Sequence, residues 1–159
     1  MKFDDLLRQK LVDWRPAGVG RHDLTVSHPE TGWTLYLSAE RQDALSGLYW
    51  EVGLRRSGAP PLDAAALRRW AEHIAGRVSG LLQPLTVLEV DVAQPAALLR
   101  SREPLLSNGE RTYDELRLNA TPQAVLGRYQ HAEGASRRQR IPFALTHDTL
   151  VRVVLDMLG

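Results

Sequence analysis

Cysteine is absent from the 159-residue chain, which excludes several kinds of stabilisation and chemistry. Without thiols there are no disulfides, no thiolate nucleophiles and no thiolate ligands for zinc or iron–sulfur clusters. A chain of this length buries roughly 70% of the surface that it exposes when unfolded, so an apolar core is enough to hold it. We therefore expect a single domain over residues 1–159.

Long apolar runs and an excess of charge of one sign are also missing. No apolar stretch approaches the roughly 20 residues that cross a bilayer. Asp4 and Asp5 stand near the N-terminus, where a secretory signal carries only bases. The 20 basic and 19 acidic side chains give a net charge of +1, which provides no general attraction for nucleic acids or anionic membranes. We expect a soluble, cytoplasmic protein with no membrane partner.

Three segments have the apolar period of amphipathic helices. Apolar residues recur every three to four positions over 2–14, over 63–82 and over 147–158. Asp63 and Thr146 stand at the start of the second and third segments, where an N-cap is expected. The sequence therefore predicts three helices, of which the second is long enough to cover a sheet.

Alternating apolar and polar residues predict strands between the first two helices. The alternation covers His22–His28, Trp33–Ser38 and Leu48–Arg55, with short polar links between them. Three such strands favour an antiparallel meander with one covered face.

Tryptophans mark the face of the meander that we expect to be buried. Trp33 begins the second strand, and Trp50 alternates in phase with the leucines of the third. Trp70 lies on the apolar side of the helix predicted over 63–82. If this helix covers the meander, the three indole rings meet in one core.

The second half of the chain leaves an alternative open. Leu85–Val92 and Arg111–Asn119 are predicted strands, and the residues between them are ambiguous. The segment 121–145 is either a helix or a hairpin of Val125–Gln130 with Arg138–Leu145. We prefer the hairpin, because the second of these runs alternates and contains a proline that resists helix formation.

The only cluster of basic residues in the sequence lies in the segment 128–140, and it is a candidate binding site for a polyanion. Arginines on a hairpin can bind phosphates, and a tyrosine beside them can stack on a base. The residues that could bind a polyanion are Arg128, Tyr129, Arg137, Arg138 and Arg140. A solvated hairpin tip is the alternative interpretation.

Residue types used in catalysis occur without a recognisable motif. Glu89 and Asp91 project from one strand face, where paired carboxylates can do acid–base work or meet neighbouring arginines. His147 precedes an aspartate, but adjacent residues at a helix start diverge by about 100°. His22 and His28 stand too far apart on their strand to grip one metal ion. We predict no catalytic residue, no metal and no cofactor.

The order of elements carries a resemblance to a known family. Reading from the helix at 2–14 through that at 63–82 to that at 147–158, the order is helix, three strands, helix, two to four strands, helix. The fold class is therefore α+β, with a mainly antiparallel sheet covered by helices. This order resembles the class I type III secretion chaperone fold of bacteria, and the resemblance covers most of the chain.

That resemblance implies a non-catalytic homodimer that binds a partner chain along apolar grooves. Because the sequence shows no catalytic constellation and its sheet is amphipathic and carries aromatic residues, our leading hypothesis is a protein-interaction or chaperone-like module, whose partner is another protein chain or a second copy. A weak nucleic-acid binder that uses the basic 128–140 segment is one alternative. An enzyme with an unrecognised site at Glu89, Asp91 or His147 is the other.

Overall fold

A computed structural model of the protein describes residues 1–158, which form three helices and ten strands. The helices are α1 (Phe3–Asp13), α2 (Ala64–Arg77) and α3 (His147–Met157). The strands are β1 (His22–His28), β2 (Trp33–Gln42), β3 (Ser46–Arg56), β4 (Leu85–Asp91), β5 (Ala96–Ser101), β6 (Leu105–Ser107), β7 (Glu110–Asn119), β8 (Gln123–Ala132), β9 (Gln139–Ile141) and β10 (Phe143–Thr146). The α+β class and the order of elements are confirmed.

All strands belong to one antiparallel sheet with the order β1-β2-β3-β8-β7-β5-β4. Three short strands lie off this path, since β6 pairs with β7, β9 with β8, and β10 with β3. In the segment 121–145 the hairpin is confirmed for Arg128–Gln130 with Gln139–Ile141, but Phe143–Leu145 of the predicted second arm pair with β3 instead. The helix alternative for this segment is wrong.

The three helices pack on one face of the sheet, which we call the core face. Alternate residues of the strands point to it, so Leu35, Leu54 and Leu116 are fully buried. Gln42 ties α1 to this face, because its amide donates to the carbonyls of Leu11 and Trp14 at 2.8 and 2.9 Å. The carbonyls at the end of α1 thereby gain partners that the helix itself cannot supply.

A β-bulge in β3 makes the expectation for Trp50 wrong. Ser38 on β2 pairs with Glu51, but the next residue pairs with Tyr49, so Trp50 is an extra residue on its strand. Tyr49 is fully buried in the core instead. The indole N–H of Trp50 donates to Glu40 at 2.8 Å, and the ring is absent from the core cluster. Because of the extra residue, Tyr49 before the bulge and Val52 after it both point to the core face, whereas strict alternation along the strand would place them on opposite faces.

The second helix is shorter than the sequence predicts. Asp63 caps α2 as expected, and its carboxylate accepts from the backbone N–H of Ala66 at 2.7 Å. The helix ends at Arg77 rather than at 82, because Val78 adopts extended angles and Gly80 takes a φ of +89°. A β-carbon at Gly80 would also stand 2.7 Å from the Thr149 side chain, so the turn requires glycine.

A bulge in β4 also changes which apolar residues of its strand reach the core. The register with β5 shifts between Val87 and Glu89, so Leu88 lies in the bulge and is exposed. Val87 and Val90 pack against the core instead.

The longest of the three helices, α2, has 14 residues. Within residues 1–158 no helix has the length and apolar content needed to cross a bilayer.

Trp70 is predicted to contribute more to stability than Trp50. We expect Trp70→Ala to lower the free energy of unfolding by about 3–5 kcal/mol, since it opens a cavity and removes a buried hydrogen bond. Trp50 is half-buried on the opposite face of the sheet, so Trp50→Ala serves as the matched control. We expect it to lower the free energy of unfolding by less than half as much. Urea unfolding measures both, and equal losses would contradict the assignment of faces.

Candidate functional site

An apolar groove of about 410 Å³ opens between α2 and the adjoining ends of β2 and β3. We call it the tryptophan groove. Its lining residues are Trp33, Arg56, Leu62, Ala66, Arg69, Trp70, His73 and Pro122. Pockets of a few hundred cubic ångströms with mostly apolar walls are the usual form of a binding site in a protein.

One face of α2 supplies half of the groove. Ala66, Arg69, Trp70 and His73 are spaced three and four residues apart, which places their side chains side by side on a helix. The N-cap at Asp63 fixes where this helix begins, and therefore the position of each of these side chains along the helix axis.

Two tryptophans form the floor of the groove in a fixed geometry. The ring centroids of Trp33 and Trp70 lie 6.0 Å apart with an interplanar angle of 46°. The indole N–H of Trp70 donates to the carbonyl oxygen of Met157 at 2.8 Å, which satisfies its one polar group. Each tryptophan is 6% exposed, so only a small part of its surface reaches the groove. The floor is therefore preformed.

Backbone hydrogen bonds hold the opposite wall in place. The N–H of Arg56 donates to the carbonyl of Pro122 at 2.9 Å, and the N–H of Leu62 donates to Ala120 at 2.8 Å. These bonds tie the chain between β3 and α2 to the turn between β7 and β8. The wall thus comes from segments that are about 60 residues apart in the sequence.

The rim of the groove is cationic. Arg56 and Arg69 are exposed, and within residues 1–158 neither forms an ion pair with a carboxylate. The guanidinium of Arg56 lies 5.9 Å from the centroid of the Trp33 ring, within the range of a cation–π contact. The lining contains no acidic side chain. An apolar group that carries a carboxylate would complement this surface.

The residues predicted to bind a polyanion do not form one surface. Arg128 lies on the core face, where its Nε donates to the buried carboxylate of Asp114 at 2.7 Å. Tyr129, Arg138 and Arg140 lie on the opposite side of the sheet, which we call the outer face. Arg137 is exposed. The prediction of polyanion binding stays untested, but the sheet divides its residues.

On the outer face the arginines and tyrosines stack on one another. The guanidinium of Arg138 lies 3.7 Å from the ring centroid of Tyr129, and that of Arg140 lies 5.2 Å from it. Tyr113 stacks on Tyr129 with 6.0 Å between centroids. Arg140 also donates to Glu51 at 3.3 Å. Arg138 and Arg140 therefore already have partners within the protein.

Glu115 lies at the centre of this cluster and is almost fully buried. Arg138 and Arg100 each approach its carboxylate to 2.8 Å, and Arg117 lies 3.6 Å away. Burial opposes ionisation of the carboxyl, but hydrogen bonds from Arg138 and then Arg100 outweigh it, so the pKa of Glu115 lies below its usual range. The same contacts raise the pKa of Arg138. The cluster is held together by its charges.

The catalytic candidates of the sequence are not brought together in one hollow. Glu89 and Asp91 share a face, as expected, and line a hollow of about 240 Å³ with Arg117. His147 is not part of that lining. His28 stacks on Phe3 and bonds to the backbone oxygen of Met1. Within residues 1–158 no group of three or more histidine, aspartate and glutamate side chains could hold a metal ion.

His147 is buried at the start of α3, and its Nε2 has no hydrogen-bond partner within residues 1–158. Burial lowers the pKa of its imidazole, and the nearby charge of Arg15 lowers it further. The carboxylates of Asp43 and Asp148 act in the opposite direction without cancelling this effect. The fold therefore favours the neutral imidazole.

Comparisons of the chain with protein-family models, with curated proteins and with solved structures found no match.

Glu115→Gln is predicted to lower the free energy of unfolding by about 2–3 kcal/mol at neutral pH, because it leaves partly buried arginines without their counter-charge. A lowered carboxyl pKa stabilises the fold above the unfolded value of about 4.3, and this contribution is lost as the pH falls through the folded pKa. The difference from the unsubstituted protein should therefore vanish in acid. Glu51→Gln, at a half-exposed pair, should cost at most about 1 kcal/mol. Urea unfolding against pH measures both, and a loss that persists in acid would contradict the ion-pair account.

His147→Gln is predicted to reduce the loss of stability on acidification. Because the folded pKa of His147 is lowered, the unfolded chain binds the proton more tightly. Stability is thus complete above about pH 6.5 and decreases as the pH falls from there toward the folded pKa. Unfolding free energies between about pH 7.5 and 5 measure the effect. Parallel losses in the variant and the unsubstituted protein would contradict it.

Proposed function

We propose that the protein is a non-catalytic protein-interaction module that holds a segment of a partner chain in the tryptophan groove. One observation carries this proposal: an apolar floor of Trp33 and Trp70 lies beneath two arginines, Arg56 and Arg69, that have no carboxylate partner among residues 1–158. Tryptophan and arginine are the residues that most often dominate the energy of protein interfaces. A preformed floor also lowers the entropic cost of binding.

The chemistry of the groove indicates the kind of segment that it would hold. An apolar or aromatic side chain would fill the space beside Leu62 and Ala66. An aspartate or glutamate next to it would pair with Arg56 or Arg69 at the rim. The proposed partner is therefore a chain with an apolar residue beside an acidic one.

A chaperone-like role and a homodimer belong to the same proposal. The order of elements resembles that of class I type III secretion chaperones, and that resemblance implies a homodimer that binds another chain along apolar grooves. The tryptophan groove is a surface of this type. A cysteine-free chain is compatible with a reducing cytoplasm, which is where we place the module.

The proposal can be tested by selecting random peptides displayed on phage and then titrating the enriched sequences, as synthetic peptides, by calorimetry. We expect the enriched peptides to combine an apolar residue with an adjacent aspartate or glutamate. Arg69→Ala should weaken their binding about fivefold, and the double variant with Arg56→Ala about 25-fold. Arg68→Ala is the matched control, because Arg68 is the exposed neighbour that does not line the groove, and it should leave binding unchanged.

Filling the groove gives a second test that leaves its charges in place. Ala66→Phe should abolish peptide binding, because the ring occupies the space above the tryptophans. Ala65→Phe, at the exposed position next to it, should have no effect. The proposal would be refuted by peptides that bind the Ala66→Phe variant normally, or by the failure of any peptide to be enriched.

A further inference from the structure

The first strand of the sheet has an open edge. β1 stands at the end of the strand order and pairs only with β2, in an unbroken register over His22–His28. Within residues 1–158 no backbone group of residues 22–27 bonds to another segment beyond this ladder. Every second residue therefore directs its N–H and C=O groups outward without a protein partner. Such an edge is a template for another strand.

The opposite edge of the sheet is better protected, since it has a bulge and two exposed carboxylates, whereas β1 has no bulge and one exposed carboxylate, Asp23. β4 is interrupted by its bulge at Leu88 and carries the exposed charges of Glu89 and Asp91. Bulges and charges are devices that keep an edge from pairing. β1 contains no lysine, no proline and no bulge over its seven residues. The two edges of one sheet are thus unequal, and β1 is the one suited to pairing.

The sequence of β1 is complementary to itself in the antiparallel sense. When two copies are centred on Thr25, His22 faces His28, Asp23 faces Ser27 and Leu24 faces Val26. No two carboxylates are opposed, and each facing pair belongs to the same side of the sheet. Leu24 is only half-buried in the single chain. In this register the second copy's valine would cover it on the core face.

We propose that two copies of the chain join by antiparallel pairing of β1 with β1, centred on Thr25. The two sheets then become one continuous sheet, with Asp23, Thr25 and Ser27 of both copies on its outer face. The interface is isologous, as a two-fold dimer requires. This proposal rests on the proposed homodimer and names its contact surface. It is independent of the tryptophan groove, which is formed by other residues.

A disulfide introduced at the two-fold axis tests the register directly. The chain has no cysteine, so Thr25→Cys introduces the only thiol. Directly opposed residues in an antiparallel pair have α-carbons about 4.5–5.5 Å apart, which suits a disulfide. Under mild oxidation we expect this variant to become a covalent dimer almost completely. Thr86→Cys, at a threonine that is also exposed and lies on the β4 edge, is the control and should remain largely uncrosslinked.

Opposite charges at the same position give a test that needs no covalent bond. Thr25→Lys and Thr25→Glu should each be monomeric in sedimentation velocity, because like charges then face each other. An equimolar mixture of the two should restore the dimer. The same pair of substitutions at Thr86 should leave the mass unchanged.

The outcomes separate the two proposals. A monomeric unsubstituted protein at high micromolar concentration would overturn both the homodimer and this interface. A dimer in which Thr25→Cys fails to crosslink, or in which the Thr25 variants stay dimeric on their own, would overturn the interface alone. Crosslinking at Thr25 together with charge-dependent mixing would support both.

Discussion

Trp70 joins the sheet, the second helix and the third helix through two contacts of one side chain. Its ring contacts Trp33 at the start of β2, and its indole N–H bonds to the last turn of α3 at Met157. One side chain of α2 therefore joins the sheet to the third helix. Arg69 lies one residue before Trp70 on α2, so the packing of this helix on the sheet also places Arg69 at the rim of the groove. Stability and the proposed binding surface thus share one origin.

The two faces of the sheet are stabilised by different physical effects. On the core face, helices remove apolar side chains from water, which is the dominant favourable term in folding. On the outer face there is no helix to do this, and charged and aromatic side chains cover one another instead. Glu115 is buried there only because Arg100 and Arg138 surround it. Because Arg100 and Arg138 already pair with the carboxylate of Glu115, they are not available to bind a ligand.

The fold could be predicted from the sequence wherever local patterns decide the structure. Helical period, N-caps and alternation predicted the three helices, the meander and the hairpin of β8 with β9. The errors in assigning side chains to faces have a common cause in the bulges of β3 and β4. A bulge adds one residue to one strand, so Trp50 and Leu88 left the faces that alternation assigns to them. Whether an extra residue is present depends on the partner strand, which a single strand's pattern does not contain.

The candidate site was harder to predict than the fold. The spacing of Ala66, Arg69 and His73 on one helical face was readable in the sequence, but the opposite wall at Pro122 was not. That wall depends on a turn about 50 residues further along the chain. The prediction that the basic cluster forms one binding surface met the opposite difficulty. Its residues are close in sequence, but alternation in β8 sends Arg128 and Tyr129 to different sides of the sheet.

The packing of α2 on the core face can be measured as nuclear Overhauser contacts between selectively labelled tryptophan rings. We expect strong cross-peaks between the indole protons of Trp33 and Trp70, and none from Trp50 to either ring. Cross-peaks of Trp50 to Trp70, or their absence between Trp33 and Trp70, would contradict the packing of α2 on the core face. The tryptophan groove would then have no floor.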